Sequence, residues 1–261
     1  MKGLVRDCWE EMVDRKSVWI IGILTVMAAL VIFGTRSIRM MGGELEGVME
    51  ENPFAVDIVA GGLDFFLSLL VFIIVMTVAG IIPNMMVRGR AEFYLSKPMS
   101  RSSLLLNKFF SIWVVYGAAM VVAGLVAFAV FWLSFEVASW NLAYIFLLNL
   151  LSLFIWLSIV IFAGVLSGSG ALSIVSAFVV WLLQFMLSKY EALEMFVDSK
   201  IIVTSVKWLY YVLPKTGQVS DITGQLAVGK AVESWMPLWS SLLFAVVLVI
   251  ITLMVFKRKD Y

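Results

Sequence analysis

The chain has 261 residues, of which 62% are hydrophobic and 14% are charged, and its formal net charge at pH 7 is +1. A soluble domain is about half apolar and about a quarter charged, so this composition excludes a soluble protein with one buried core and indicates an integral membrane protein. The chain has no histidine and one cysteine, Cys8, which excludes intrachain disulfides, histidine-based zinc or haem sites, and Ser-His-Asp or Cys-His nucleophiles.

Residues 1–16, MKGLVRDCWEEMVDRK, predict an amphipathic helix, because apolar side chains recur at helical spacing on one face and charged ones occupy the other. We predict an interfacial elbow helix on the inner leaflet, with the Trp9 indole at head-group depth. A helix that only packs on the bundle is the alternative. The apolar stripe comprises Leu4, Val5, Cys8, Trp9, Met12 and Val13.

Six apolar runs follow that are long enough to cross a bilayer, which takes roughly 17–25 helical residues. We therefore expect one all-α transmembrane domain over 17–261. Pro83 and Asn84 predict a kink or a stop near the end of the second run. The SGSG at 167–170 predicts a tight turn between antiparallel helices. The six runs are 17–34, 63–87, 109–133, 142–166, 171–188 and 236–256.

The charges of the connecting segments predict the orientation of the spans. Segment 88–108 carries five basic residues and one acid, and the final KRKDY is also basic. The segment after the first span is mainly acidic, and the one after the third holds a single glutamate. Because basic loops favour the cytoplasm, we expect both termini and 88–108 on the cytoplasmic side of the cell inner or plasma membrane.

Segment 189–235 balances five lysines with five acids and is predicted to be a long outer loop. Within it, SVKWLYYVLP (205–214) is apolar enough to lie in the interface or to re-enter the membrane, and a seventh span there is the main alternative topology. GQLAVGKA (224–231) nearly matches a phosphate-binding loop, but Ala231 replaces the hydroxyl that reaches magnesium, and no predicted strand precedes Gly224. We therefore expect no ATPase site on this chain.

The spans contain few ionisable residues, whereas ion-coupled transporters keep such groups near mid-membrane. Asp64 is placed at the outer edge of the second run. The polar residues inside the spans are expected to make interhelical hydrogen bonds; they are Thr77, Asn149, Ser158 and Gln184. An intramembrane enzyme is the least favoured class, because the spans have no paired central carboxylates.

A family resemblance rests on the basic segment. RGRAEFYLSKPMSRSSLLLNKF (88–109) resembles the stretch after the second span of ABC-2 type permeases, in which a leaLLs-x-P-[hydrophobic]-[ST]-R…gK pattern recurs. Asn107 replaces the usual glycine, and Arg88 and Arg90 replace the usual acid. The ending FKRKDY and the YVLP at 211–214 also resemble this family, especially the subgroup of the permease of the nitrous-oxide-reductase maturation transporter. The matching residues are Leu95, Ser96, Pro98, Met99, Ser100, Arg101 and Lys108.

The resemblance implies a half-transporter with a type V exporter-like fold. Two copies of this chain would form a homodimer in membrane lipid, and two copies of a separate ATP-binding subunit would dock beneath it, carrying ATP and magnesium. No cofactor, metal, catalytic residue or nucleic-acid partner is expected on this chain. In the family, the elbow helix and the loop after the second span form the docking surface. The docking residues expected here are Arg88, Arg90, Glu92, Phe93, Tyr94, Lys97, Pro98, Arg101 and Lys108.

An aromatic-plus-arginine cluster is typical of a docking patch, although the same basic residues can also enforce topology and bind anionic lipid head groups. The family places the substrate path at the dimer interface near spans one, two and five, which suggests hydrophobic cargo here. The predicted function is the permease of an ATP-driven exporter; the alternatives are a secondary transporter and a membrane scaffold or assembly factor. The expected path residues are Trp19, Phe65, Phe66, Phe72, Phe178 and Trp181.

Overall fold

The structure is a computed structural model, which describes residues 2–41, 53–87, 100–135, 139–187 and 200–259. These residues form helices joined by short connections, and no strand occurs among them. In chain order the elements are α1 Lys2–Asp14, α2 Ser17–Met41, α3 Pro53–Val78, α4 Ile81–Met85, α5 Arg101–Phe135, a 3₁₀ turn Trp140–Leu142, α6 Ala143–Ser167, α7 Gly170–Leu187, α8 Lys200–Val212, α9 Thr216–Ala227 and α10 Met236–Arg258.

Six stretches of these helices are long and apolar enough to cross a membrane, so the predicted all-α, multi-pass architecture is confirmed for the described residues. The second span begins at Val56 and the third at Arg101, both earlier than expected, because each helix continues through polar residues that flank the apolar run. The spans are Ser17–Gly34, Val56–Met85, Arg101–Phe135, Trp140–Ser167, Gly170–Leu187 and Met236–Arg258.

Helix α6 is the centre of the bundle and packs against α3, α5, α7, α9 and α10. By contrast, α2 packs mainly on α5, and α7 packs mainly on α6. Only 22% of the α2 span and 17% of the α7 span are buried, against 56% of the span that contains α6. Helices α2 and α7 therefore present most of their apolar surface outward.

Two helix ends meet where α6 turns into α7. Gly168 ends α6 in the left-handed conformation, with φ of 67°, and its backbone N–H donates to the Gly164 carbonyl over 2.9 Å. This is the tight antiparallel turn that SGSG predicts, and glycine adopts it without the steric penalty of a Cβ atom. A Cβ on Gly170 would lie 3.0 Å from the Cα of Gly80, so the turn packs directly on the end of the second span.

The second span is interrupted just before its proline. Helix α3 ends at Val78, and the short helix α4, which contains Pro83, follows after Ala79 and Gly80. A proline ring clashes with the carbonyl four residues earlier in a helix, which here is that of Ala79, so the interruption falls where the ring excludes a continuous helix. The pyrrolidine ring then packs on α6, where a Cβ added to Gly164 would lie 3.2 Å from it.

The connection between α7 and α10 contains two short helices in its described part. Helix α8 has 13 residues and α9 has 12, so each spans about 20 Å, too short for a hydrocarbon layer of about 30 Å. Helix α9 packs against α3, α6 and α10, and α8 contacts α7 and α10. This hairpin, and not a seventh span, covers the end of the bundle at which α6 and α10 begin. Gly224 lies inside α9, so the segment that resembles a phosphate-binding loop begins as helix.

Candidate functional site

Part of the apolar stripe of helix α1 packs on the bundle, and part of it is exposed. Trp9 and Val13 are 52% and 42% exposed. The other four residues of the stripe pack toward the bundle, mainly on α5, as the packing alternative predicts. We call Trp9 and Val13 the exposed half of the stripe; they form an apolar surface suited to lipid, and the interfacial position of α1 stays a prediction. The residues that face the bundle are Leu4, Val5, Cys8 and Met12.

A sharp turn at Lys16 joins α1 to α2. Its φ of 58° lies in the left-handed region, and no other non-glycine residue among the described ones has a positive φ. Just before the turn, Arg15 Nη1 donates to the Thr77 carbonyl over 3.3 Å. Thr77 is in the last turn of α3, where the helix dipole favours a cation. The end of α1 is thereby connected to the end of α3.

A buried ion-pair cluster fixes the other part of α1 to α5. Lys108 is fully buried, and its Nζ donates to Asp7 Oδ2 over 2.5 Å and to Glu11 Oε2 over 2.8 Å. Asp7 and Glu11 are one helical turn apart, so both carboxylates lie on the side of α1 that faces α5. Cys8 is buried between them, and burial raises the pKa of its thiol to about 11. We call Asp7, Cys8, Glu11 and Lys108 the Lys108 cluster.

Two further bonds fasten the start of α5 to the rest of this end of the bundle. Arg101 Nη1 donates to the Lys259 carbonyl over 2.8 Å. The Lys259 ammonium in turn donates to the carbonyl of Val165, at the end of α6, over 2.7 Å. The end of segment 88–108 is thus bonded to α1 and to Lys259, the residue after α10, and Lys259 is bonded to α6. We call this end of the bundle the α1 end.

The structure describes only the last part of the predicted docking segment. Arg101 is partly buried by its contact with Lys259, and the Lys108 side chain lies inside the chain and not on an accessible surface. Lys108 is therefore not an exposed docking contact; its ion pairs hold α1 against α5. The predicted docking residues that fall outside the described residues are Arg88, Arg90, Glu92, Phe93, Tyr94, Lys97 and Pro98.

A cavity of about 340 Å³ opens at the opposite end, between α3, α6, α7 and the α8–α9 hairpin. Among the predicted path residues, Phe72, Phe178 and Trp181 line it. Phe66 is instead buried in the core, and Trp19 and Phe65 are exposed on the outer surfaces of α2 and α3. We call this space the Lys215 cavity, after the lysine between α8 and α9 that lies in its wall.

Asp64 crosslinks three helices at the wall of the Lys215 cavity. Its Oδ1 accepts a hydrogen bond of 2.8 Å from Asn149 Nδ2 on α6, and its Oδ2 accepts one of 2.5 Å from Ser220 Oγ on α9. Asp64 lies about 12 Å from the start of a span whose 30 residues cover about 45 Å of helix, more than a hydrocarbon layer of about 30 Å, so its place at the outer edge of the membrane stays a prediction. Both carboxylate oxygens have neutral donors, so Asp64 holds α9 onto α3 and α6.

Lys215 and Gln184 form the polar corner of the same cavity. Lys215 is 5% exposed, its Nζ donates to Ser240 Oγ over 3.2 Å and lies 4.7 Å from the centre of the Tyr210 ring, and burial lowers its pKa. Gln184 Oε1 accepts from both the hydroxyl and the backbone N–H of Thr216, over 2.5 and 3.3 Å. The opposite atom of this amide, Nε2, is buried and has no hydrogen-bond partner among the described residues.

Sequence reasoning found some of these residues and missed others. Asn149 and Gln184 make the predicted interhelical hydrogen bonds. Thr77 bonds both to a carbonyl of its own helix and to Tyr116 of α5, whereas Ser158 bonds to a carbonyl of its own helix. Lys215 was missed, because its segment reads as an outer loop. The signal available for it was a single cation directly after the apolar run 205–214, in a segment already suspected of entering the membrane.

No protein-family model matches this chain, and a search of curated proteins finds no match. Among the described residues, no group of three or more histidine, cysteine, aspartate or glutamate side chains is placed to hold a metal ion. Among the described residues, the features that bear on function are the hydrogen-bonded α1 end and the Lys215 cavity.

Proposed function

We propose that this chain is the membrane-spanning permease of an ATP-binding cassette exporter, and that two copies of it work with two copies of a separate ATP-binding subunit. The observation that carries the proposal is the bonding of segment 88–108 to the α1 end. That segment bears the resemblance to ABC-2 type permeases, and its last residues, Arg101 and Lys108, bond to Lys259 and to α1. A force applied to the segment reaches α1, α5 and α10 together.

The proposed orientation places the α1 end in the cytoplasm and the Lys215 cavity toward the outer side. The concentration of basic residues in 88–108 supports this assignment. The exposed half of the α1 stripe then lies at the inner head groups, where Trp9 is suited to an environment that is half apolar and half wet. The outward apolar faces of α2 and α7 are available to lipid and to the second copy of the chain.

The proposal predicts that an ATPase co-purifies with the chain from native membranes, and that this association depends on segment 88–108. Replacing Tyr94 with alanine and Lys97 with glutamate should reduce ATPase capture about tenfold or more, because truncating docking residues commonly costs at least about 2 kcal/mol. Arg101 is a poorer choice for this test, since its guanidinium also bonds the Lys259 carbonyl. Capture is measured from solubilised membranes by quantitative mass spectrometry and by ATP hydrolysis.

The matched control is Lys230→Glu, which makes the same charge change at an exposed lysine beyond the end of α9. This variant should capture as much ATPase as the unmodified chain. Equal capture by the segment variant would contradict docking through 88–108. Failure of the unmodified chain to bring down any protein with a complete phosphate-binding loop would favour the non-transporting scaffold.

A secondary transporter is the second candidate, because Asp64 lies inside a span and beside a cavity. The hydrogen bonds that Asp64 accepts from Asn149 and Ser220 disfavour it, because holding α9 onto α3 and α6 explains this carboxylate without ion coupling. Transport that persists in membranes depleted of every ATPase partner would favour this candidate over the permease.

A further inference from the structure

We propose that the Lys215 cavity binds a single-chain amphiphile with an anionic head group, which places its head at Lys215 and Gln184 and its chain along the aromatic residues of α7. This inference deepens the proposed function by naming a substrate class. Only the statement that the bound amphiphile is the transported substrate rests on that function. The binding itself depends on this chain alone. The cavity volume of about 340 Å³ lies at the small end of ligand sites, which suits one alkyl chain better than two.

The head-group position follows from unused hydrogen-bond donors. An ammonium group has three N–H donors, and the described partners of the Lys215 Nζ are one hydroxyl, that of Ser240, and the rings of Tyr210 and Tyr211. No carboxylate of the described residues forms an ion pair with it, and the Asp64 oxygens are bonded elsewhere. A buried cation in such surroundings is stabilised by an anion with several acceptor oxygens.

Gln184 supplies a second donor in the same corner. Its amide orientation is fixed, because the Thr216 backbone N–H can only donate and therefore has to face the amide oxygen. The Nε2 group is thereby left buried without an acceptor among the described residues. A buried N–H without a partner costs about 1–3 kcal/mol, and a ligand oxygen at this position removes that cost. Lys215 and Gln184 both line the cavity, and Gln184 bonds to Thr216, the residue after Lys215, so we assign both donors to one head group.

The chain position follows from the row of aromatic side chains on α7. Phe178, Trp181 and Phe185 stack in sequence, with ring centres 5.7 and 6.4 Å apart. The row covers eight residues, about 10 Å of helix from the first to the last, and all three side chains line the cavity. Val75 and Met76 of α3 also line it. The walls are therefore apolar along a length that suits an alkyl chain, with the cationic corner near the end of α7.

The test uses the purified chain in phosphatidylcholine nanodiscs and a brominated alkyl chain, which quenches tryptophan fluorescence on contact. Three probes share the same chain and differ in head group: a carboxylate, an alcohol and a trimethylammonium. We expect saturable quenching by the carboxylate probe with an affinity about tenfold or more above that of the other two, because a charge-assisted hydrogen bond contributes about 1.5–3 kcal/mol. Replacing Trp181 with phenylalanine should remove part of the quenching.

Substitution then assigns the head group. Lys215→Gln should weaken the carboxylate probe about tenfold and leave the alcohol probe unchanged, whereas Lys207→Gln, at an exposed lysine of α8, should change neither. Equal affinity for all three probes in the unmodified chain overturns the proposal without any variant. Lys215-dependent, saturable quenching by a brominated two-chain anionic phospholipid overturns the single-chain assignment. ATPase capture is measured without these probes. A failed quenching test therefore does not affect the permease assignment, and a failed capture test does not affect the proposed binding site.

Discussion

Replacing the buried Lys108 with methionine is expected to lower the free energy of unfolding by about 3 to 5 kcal/mol. The substitution keeps most of the length of the side chain and removes its charge. Asp7 and Glu11, whose side chains are 36% and 22% exposed, then lose their ion pairs with the Lys108 ammonium. The loss is measured by unfolding the purified chain in mixed detergent and dodecyl sulfate micelles.

Two variants separate loss of the ion pairs from general damage to α5. Arg6→Ala breaks the exposed Arg6–Glu10 pair on the same α1 helix and should change stability by less than about 0.5 kcal/mol. Adding Asp7→Asn and Glu11→Gln to Lys108→Met also removes the two carboxylate charges and should recover much of the loss, since apolar or neutral replacement of a buried ionic cluster is often tolerated. A loss from Lys108→Met that matches the Arg6 control would contradict the cluster as the anchor of α1.

The second large effect is expected at Asp64, where alanine should cost about 3 kcal/mol. The substitution removes two hydrogen bonds to a charged acceptor and leaves the Asn149 amide and the Ser220 hydroxyl without that partner. Because Ser220 is on α9, the α8–α9 hairpin should loosen first, and its backbone amides should exchange with deuterium faster than those of α6. Hydrogen exchange followed by mass spectrometry measures this difference directly.

Asp57 provides the matched control for Asp64. It lies on the same helix two turns earlier and is exposed. Asp57→Ala should change the unfolding free energy by less than about 0.5 kcal/mol and leave the exchange of α9 unchanged. Asp64→Asn keeps one acceptor oxygen and should fall between the two alanine variants. Equal exchange of α9 in Asp64→Ala and Asp57→Ala would show that the carboxylate does not hold the hairpin.

The six spans could be predicted from the sequence because each is a long apolar run, and hydrophobic length is a local property. The tight turn at Gly168 and the interruption beside Pro83 were equally local, since glycine and proline restrict the backbone at their own positions. The start of the second span was placed too late because Asp57 interrupts the apolar pattern without interrupting the helix.

The pairings between distant residues could not be predicted. Lys108 is 97 residues from Glu11 and 101 from Asp7, and Asp64 is 156 residues from Ser220. A single sequence gives no information about which residues so far apart are in contact. The sequence pattern places the acids of α1 on the charged face of an amphipathic helix, although the four-residue spacing of Asp7 and Glu11 brings these two carboxylates together, where one cation can pair with both. Only the packing of α1 on α5 identifies Lys108 as that cation.

The sole cysteine of the chain lies inside the Lys108 cluster, so its reactivity reports on the coupling that the proposed function requires. Cys8 is fully buried, and with a pKa of about 11 its thiolate fraction at neutral pH is about 100-fold below that of a thiol with the ordinary value near 9. Modification by maleimide should therefore be slow, and it should accelerate whenever α1 moves away from α5. Mass spectrometry of the α1 peptide distinguishes this thiol from those of any bound partner.

The most direct test measures the rate of Cys8 modification in native membranes that retain the co-purifying ATPase, with and without a non-hydrolysable ATP analogue. The permease assignment predicts that the nucleotide changes this rate several-fold, and that the variant with Tyr94→Ala and Lys97→Glu loses the change. An identical rate with and without nucleotide, while the ATPase remains bound to the unmodified chain, would contradict coupling through segment 88–108 and α1.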